Sequence, residues 1–80
     1  MEKRLFELMP GEEAVIVKIE DKSVFRKRLM EMGLRKGGKV LMRRDAPMGD
    51  PMEINVMGYN ITLRKSEAKF VIIDNINKIA

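Results

Sequence analysis

Residues 52–63 read MEINVMGYNITL. Met52, Ile54 and Val56 alternate with Glu53, Asn55 and Met57, the period of a strand that buries one face. Gly58-Tyr59-Asn60 offers a tight connection, after which Ile61 and Leu63 alternate with Thr62 and Arg64. The stretch is therefore expected to be a β-hairpin, and the flanking segments must fit a chain that builds sheet.

Toward the N-terminus, residues 46–51 read APMGDP, a loop by its prolines and glycine. Met48 at its centre is the one residue whose place turn chemistry does not explain. Val40, Met42 and Arg44 alternate with Leu41 and Arg43, so residues 39–44 form a strand, and Lys36-Gly37-Gly38 before it is a turn. Residues 23–32 read as a helix capped by Ser23 or Asp21. Val24, Phe25, Leu29 and Met32 share one side of it. Gly33 ends the helix and Leu34 folds back on it. Residues 14–19 form a β-branched strand entered through the turn at Pro10-Gly11.

Toward the C-terminus, Ser66-Glu67-Ala68 reads as one helical turn capped by Ser66, residues 70–73 as a closing strand and residues 75–80 as a tail. The fold class is thus mostly β: a small, closed or nearly closed barrel of about five strands, with one helix inserted after the first strand. It occupies residues 1–80 as a single domain. Closure removes the edges that so short an open sheet would expose.

The chain has 80 residues and neither cysteine nor histidine. Disulfides and the usual tetrahedral zinc sites are excluded, and stability rests on packing. No apolar run approaches a membrane span and the N-terminal residues lack a signal-peptide core, so a cytoplasmic protein is expected. The net charge is +4, concentrated in the middle. Lys22, Arg26, Lys27, Arg28, Arg35, Lys36, Lys39, Arg43 and Arg44 fall in a segment whose only acid is Glu31. Such a patch suits an acidic protein surface, anionic lipid or nucleic acid, and would otherwise be a solvated face.

No nucleophile and base can be paired from these residues, and there is no phosphate-binding loop; catalysis is not expected. Asp45, Asp50 and Glu53 offer hard oxygens, but aspartates beside proline and glycine are turn formers. The methionines are soft ligands that are expected mostly at core-facing positions. No metal or cofactor site is assigned. Arg28 projects inside the apolar stripe of the helix, where a charge must be paired or led out to water. Asp50 and Asp45 are its expected partners, the three together pinning the loop to the helix. RNA binding by a small basic barrel is the rival reading, weakened by the lack of exposed aromatics for stacking.

The order of these features resembles the FeoA family, small cytoplasmic proteins of ferrous iron transport. The resemblance is carried by Leu5, Leu8, Pro10-Gly11, Arg28-Leu29, Met32-Gly33-Leu34 and Gly37, then Ala46-Pro47, Gly49-Asp50-Pro51 and Ile54, then Gly58-Tyr59, Ile61, Leu63-Arg64 and Glu67-Ala68. Lys36 and Met48 depart from the family's usual proline and its leucine or phenylalanine. The resemblance implies an SH3-like barrel and an accessory role. The partner would be a FeoB-like permease, a membrane protein with a cytoplasmic GTP-binding domain. The same barrel is shared with the C-terminal domain of iron-dependent repressors, so a free-standing relative of that domain is the further alternative. On this reading Arg26, Lys27, Arg35 and Lys36 supply basic contacts to acidic protein or the inner leaflet. Leu5, Leu8, Met48 and Tyr59 supply apolar ones, with burial as barrel caps the alternative for Leu5 and Leu8. Weak self-association is left open.

Overall fold

A computed structural model describes residues 1–20, 24–45 and 49–79. The roles expected of Met48, of Asp21 or Ser23 as helix cap, and of the Asp45 side chain lie outside the described residues. The elements are β1 (Lys3–Arg4), a 3-10 turn (Leu5–Glu7), β2 (Glu12–Ile19), α1 (Arg26–Glu31), β3 (Lys39–Asp45), β4 (Met52–Val56), β5 (Tyr59–Leu63), α2 (Lys65–Ala68) and β6 (Val71–Lys78).

The strands form one antiparallel sheet in the order β1-β6-β2-β3-β4-β5. Register shifts between Glu13 and Val15, Ile16 and Lys18, and Met42 and Arg44 interrupt the ladders of β2 and β3. Such bulges bend a strand and raise its twist, which lets so small a sheet curl around its own side chains. The inner face carries Ala14, Ile16 and Ile19 of β2, Val40 and Met42 of β3, Met52, Ile54 and Val56 of β4, Leu63 of β5, and Val71 and Ile73 of β6, all buried. Each large apolar side chain so buried contributes about 1.5–3 kcal/mol. The expected barrel is present as a curled sheet whose edge strands β1 and β5 do not pair among the described residues. Between those edges the 3-10 turn packs on α2, with Leu5, Leu8 and Ala68 buried there.

Several expectations are corrected. There are six strands rather than five, because β1 pairs with β6 through Lys3↔Ile73 and Arg4↔Ile72. Residues 75–78 are not a tail: β6 runs to Lys78 and pairs with Glu12 and Glu13 of β2. The hairpin turn is Met57-Gly58, and Tyr59 opens β5 opposite Val56. Both turn residues have positive φ, 54° and 86°, as a type I′ connection requires. The helix is shorter than read, since Val24 and Phe25 precede α1 in a turn and Val24 is 86% exposed. Ser66 is inside α2 and does not cap it. Arg64 stands at the cap, and its backbone N–H donates to Glu67 Oε1 at 3.1 Å. The methionines are less buried than expected: Met42 and Met52 are core and Met32 packs against it, but Met1, Met9, Met30 and Met57 are exposed.

Candidate partner-binding face

The C-terminal end of α1 sets the site. Leu34 N–H donates to Leu29 O at 3.0 Å and Gly33 N–H to Met30 O at 3.1 Å, the paired bonds of a Schellman ending. It needs a left-handed residue, and Gly33 has φ 100°. Leu29 and Leu34 are both wholly buried, so the helix end is stapled to the core as the residues predicted. The chain then leaves toward Arg35 and Lys36, and Gly37 N–H returns to Ile16 O at 2.7 Å.

This return brings three segments around one cleft of about 440 Å³, lined by Val17, Lys18, Ile19, Arg26, Met30, Arg35 and Lys36. Arg26 Nη1 donates to Ile19 O at 2.9 Å, tying α1 to the end of β2. Four cations thus surround an apolar floor, and no acid is among the described lining residues. Of the residues expected to contact a partner, Arg26, Arg35 and Lys36 meet here. Lys27 is exposed on α1 but does not line the cleft. Tyr59 is 74% exposed at the start of β5. Leu5 and Leu8 are 0% and 2% exposed, so they cannot be contact residues: they close the barrel. Lys18, Val17 and Met30 were missed. Lys18 is one exposed position in a strand, and only the approach of α1 and the 35–36 segment gives it company.

Among the described residues Arg28 does not pair with the loop. Its Nη1 lies 2.8 Å from Glu67 Oε2, with the arginine side chain 61% exposed and that of the glutamate 5%. Oε2 has no aligned hydrogen bond, so the pair is held by charge across a short gap. Arg28 therefore pins α1 to α2. Asp50 does pin the loop, but to α2: its Oδ1 accepts from Lys65 N at 3.0 Å. The Asp50-Pro51 peptide is cis. Phe25 and Phe70 are half-buried and pack on each other with ring centroids 6.0 Å apart.

Elsewhere, the N-terminal ammonium 2.8 Å from Asp74 Oδ1, helped by the Asn75 N–H, holds the Asp74 carboxyl below the usual range. Among the described residues no three of His, Cys, Asp and Glu gather as a metal-ligating group. No helix among them is long and apolar enough to cross a membrane.

Comparison with known proteins places this architecture. The FeoA domain family model matches residues 3–75. A fusion of Fe(2+) transport protein A with the Fe(2+) transporter FeoB, from Porphyromonas gingivalis, is 40% identical over 77 residues. That match covers 96% of this chain and 9% of the fusion, so the chain spans about a tenth of that relative's length. A zinc-complexed FeoA of Stenotrophomonas maltophilia, described as a procaryotic SH3 domain protein, is 32% identical and superposes with TM-score 0.86. Coverage there is 98% of this chain and 99% of the other. A manganese-dependent transcriptional repressor superposes with TM-score 0.83 at 9% identity over 91% of this chain and 40% of its own, which shows a shared fold alone. The chain belongs to the FeoA domain family, with its SH3-like fold.

Proposed function

We propose that the chain is a non-catalytic accessory module of ferrous iron uptake. It acts on the cytoplasmic side by protein–protein contact with a FeoB-like permease. The observation that carries this reading is the Porphyromonas gingivalis relative, in which a domain 40% identical to this chain is continuous with the transporter itself. Fusion holds two partners at high effective concentration, and the same pairing between unlinked chains would need affinity in place of the linker. The basic cleft is the surface suited to that task. Lys18, Arg26, Arg35 and Lys36 would steer an acidic surface, and Val17, Ile19 and Met30 give an apolar floor for an anchor.

The test is capture of the permease from detergent-solubilised membranes by the immobilised chain. Reversing Lys18→Glu and Arg35→Glu together is expected to weaken capture roughly tenfold at low salt. Undiminished capture by that variant would remove the cleft from the reading. Failure of the wild type to capture the permease at all would remove the partner. Permease GTP hydrolysis with and without the chain then separates a regulator of turnover from a module of assembly.

A further inference from the structure

Strand β5 is an edge of the sheet, and it pairs with β4 without a register shift from Val56↔Tyr59 to Met52↔Leu63. In a two-residue hairpin the pair beside the turn exchanges both backbone hydrogen bonds, and bonded pairs then alternate. The bonded residues of β5 are therefore Tyr59, Ile61 and Leu63. The N–H and C=O groups of Asn60 and Thr62 point out of the sheet. Neither residue makes a backbone hydrogen bond elsewhere among the described residues, and both are exposed. Natural edges are usually guarded by a lysine, a proline or a bulge; β5 reads Tyr-Asn-Ile-Thr-Leu and has none of these.

The far end of this edge opens on a cleft of about 260 Å³ beside Thr62, walled by Phe25, Arg28, Pro51, Arg64 and Glu67. Arg28 is anchored to Glu67 through Nη1, which leaves the rest of its N–H fork to the cleft. Arg64 is exposed and forms no ion pair among the described residues. Two guanidinium groups thus flank a row of unused strand donors and acceptors.

We propose that this edge takes up an extended polypeptide segment. The segment adds to the sheet beside β5 and carries an acidic side chain to Arg28 and Arg64. Its backbone answers the outward groups of Asn60 and Thr62, and its carboxylate answers the arginines. A second copy of this chain fits less well. It would bring a neutral β5 strand and a further +4 of charge, leaving both arginines uncompensated. The inference does not rest on the permease reading, and its site is distinct from the basic cleft on β2 and α1.

The experiment is an NMR titration of the full ¹⁵N-labelled chain with the blocked peptide acetyl-Thr-Val-Asp-Val-Thr-Val-amide, and with its Asp-to-Asn twin, up to about 5 mM. Saturable shifts are expected at the Asn60 and Thr62 amides and at Arg28 and Arg64 Nε. The Asp peptide should bind roughly threefold or more tighter than its twin at low salt. Thr62→Pro should keep a dispersed spectrum, because its N–H faces out of the edge, and should abolish the shifts. Arg64→Glu, which leaves the backbone alone, should remove the preference for Asp and decides the matter if the proline variant does not fold. The proposal is overturned by the absence of saturable shifts, by shifts centred on Lys18 and Arg35, or by shifts that survive Thr62→Pro. Changes at Asn60 and Thr62 on raising protein concentration without peptide would overturn it too, in favour of a second copy.

Discussion

Glu67 is the buried charged side chain among the described residues, and its two oxygens have separate tasks. Oε1 accepts the Arg64 N–H at the start of α2, while Oε2 faces Arg28. Removing Arg28 leaves a desolvated carboxylate without its counter-charge, the costly way to break such a pair. The arginine is largely exposed, so water would recover part of that cost. Arg28→Ala is expected to destabilise by about 1–2 kcal/mol, or roughly 5–10 °C in Tm for a domain of this size. Adding Glu67→Gln keeps an acceptor for the cap and removes the stranded charge, so the double variant should recover part of the loss. Thermal melting of both single variants and the double checks this. Strict additivity of the two changes would show that the pair is not coupled. The sequence marked Arg28 as a charge in need of a partner, since its position on the stripe is local information. Asp50 was the wrong partner, because the meeting of α1 with α2 is set by the curl of the whole sheet.

The elements show the same division between local and distant causes. The end of α1 was legible because Met32-Gly33-Leu34 encodes it within three residues: the left-handed Gly33 and the buried Leu34 leave one outcome. The hairpin was legible as a hairpin, but its phase was not. Gly58-Tyr59-Asn60 offers several two-residue turns, and the pairing of Val56 with Tyr59 selects Met57-Gly58. That choice forces Met57 to φ 54°, a region that costs a residue with a Cβ about 1–2 kcal/mol. Asparagine tolerates it far better. Met57 is 67% exposed, so little burial is lost on replacing it. Met57→Asn is therefore expected to stabilise by about 0.5–1 kcal/mol, read as a raised urea midpoint at unchanged m-value. A lowered midpoint would mean that the methionine's packing near Gly33, where its sulfur lies 3.6 Å from the site of a Cβ, outweighs the strain.

At the scale of the molecule, β2 and β6 form the spine, paired from Ile19↔Val71 to Glu12↔Lys78. The far half of that pairing was illegible in Asn75-Ile76-Asn77-Lys78, since asparagine and lysine are poor strand formers. The information lies in β2, whose Glu12 and Glu13 stand opposite Lys78 and Asn77. The basic cleft was half legible for a related reason. Arg26, Arg35 and Lys36 stood out as a charge run, whereas Lys18 joins them only through the fold. If residues 76–79 are structural, ending the chain after Asn75 must cost stability. It removes the pairs at Lys78 and Asn77, the bond from Ile79 N to Gly11 O at 2.9 Å, and the packing of Ile76 against the core. Ile76 alone is worth about 1 kcal/mol when half-buried, and the lost backbone bonds add about 1 kcal/mol or more between them after exchange with water. The truncated chain should lose about 2–3 kcal/mol, a fall of roughly 10–20 °C in Tm, followed by circular dichroism. Lys78→Ala in the full chain should change Tm by less than about 2 °C, because the lysine is exposed and a surface pair contributes little. A truncation as mild as that point substitution would return residues 76–79 to the status of a tail and leave β2 to be held by the first half of β6 alone.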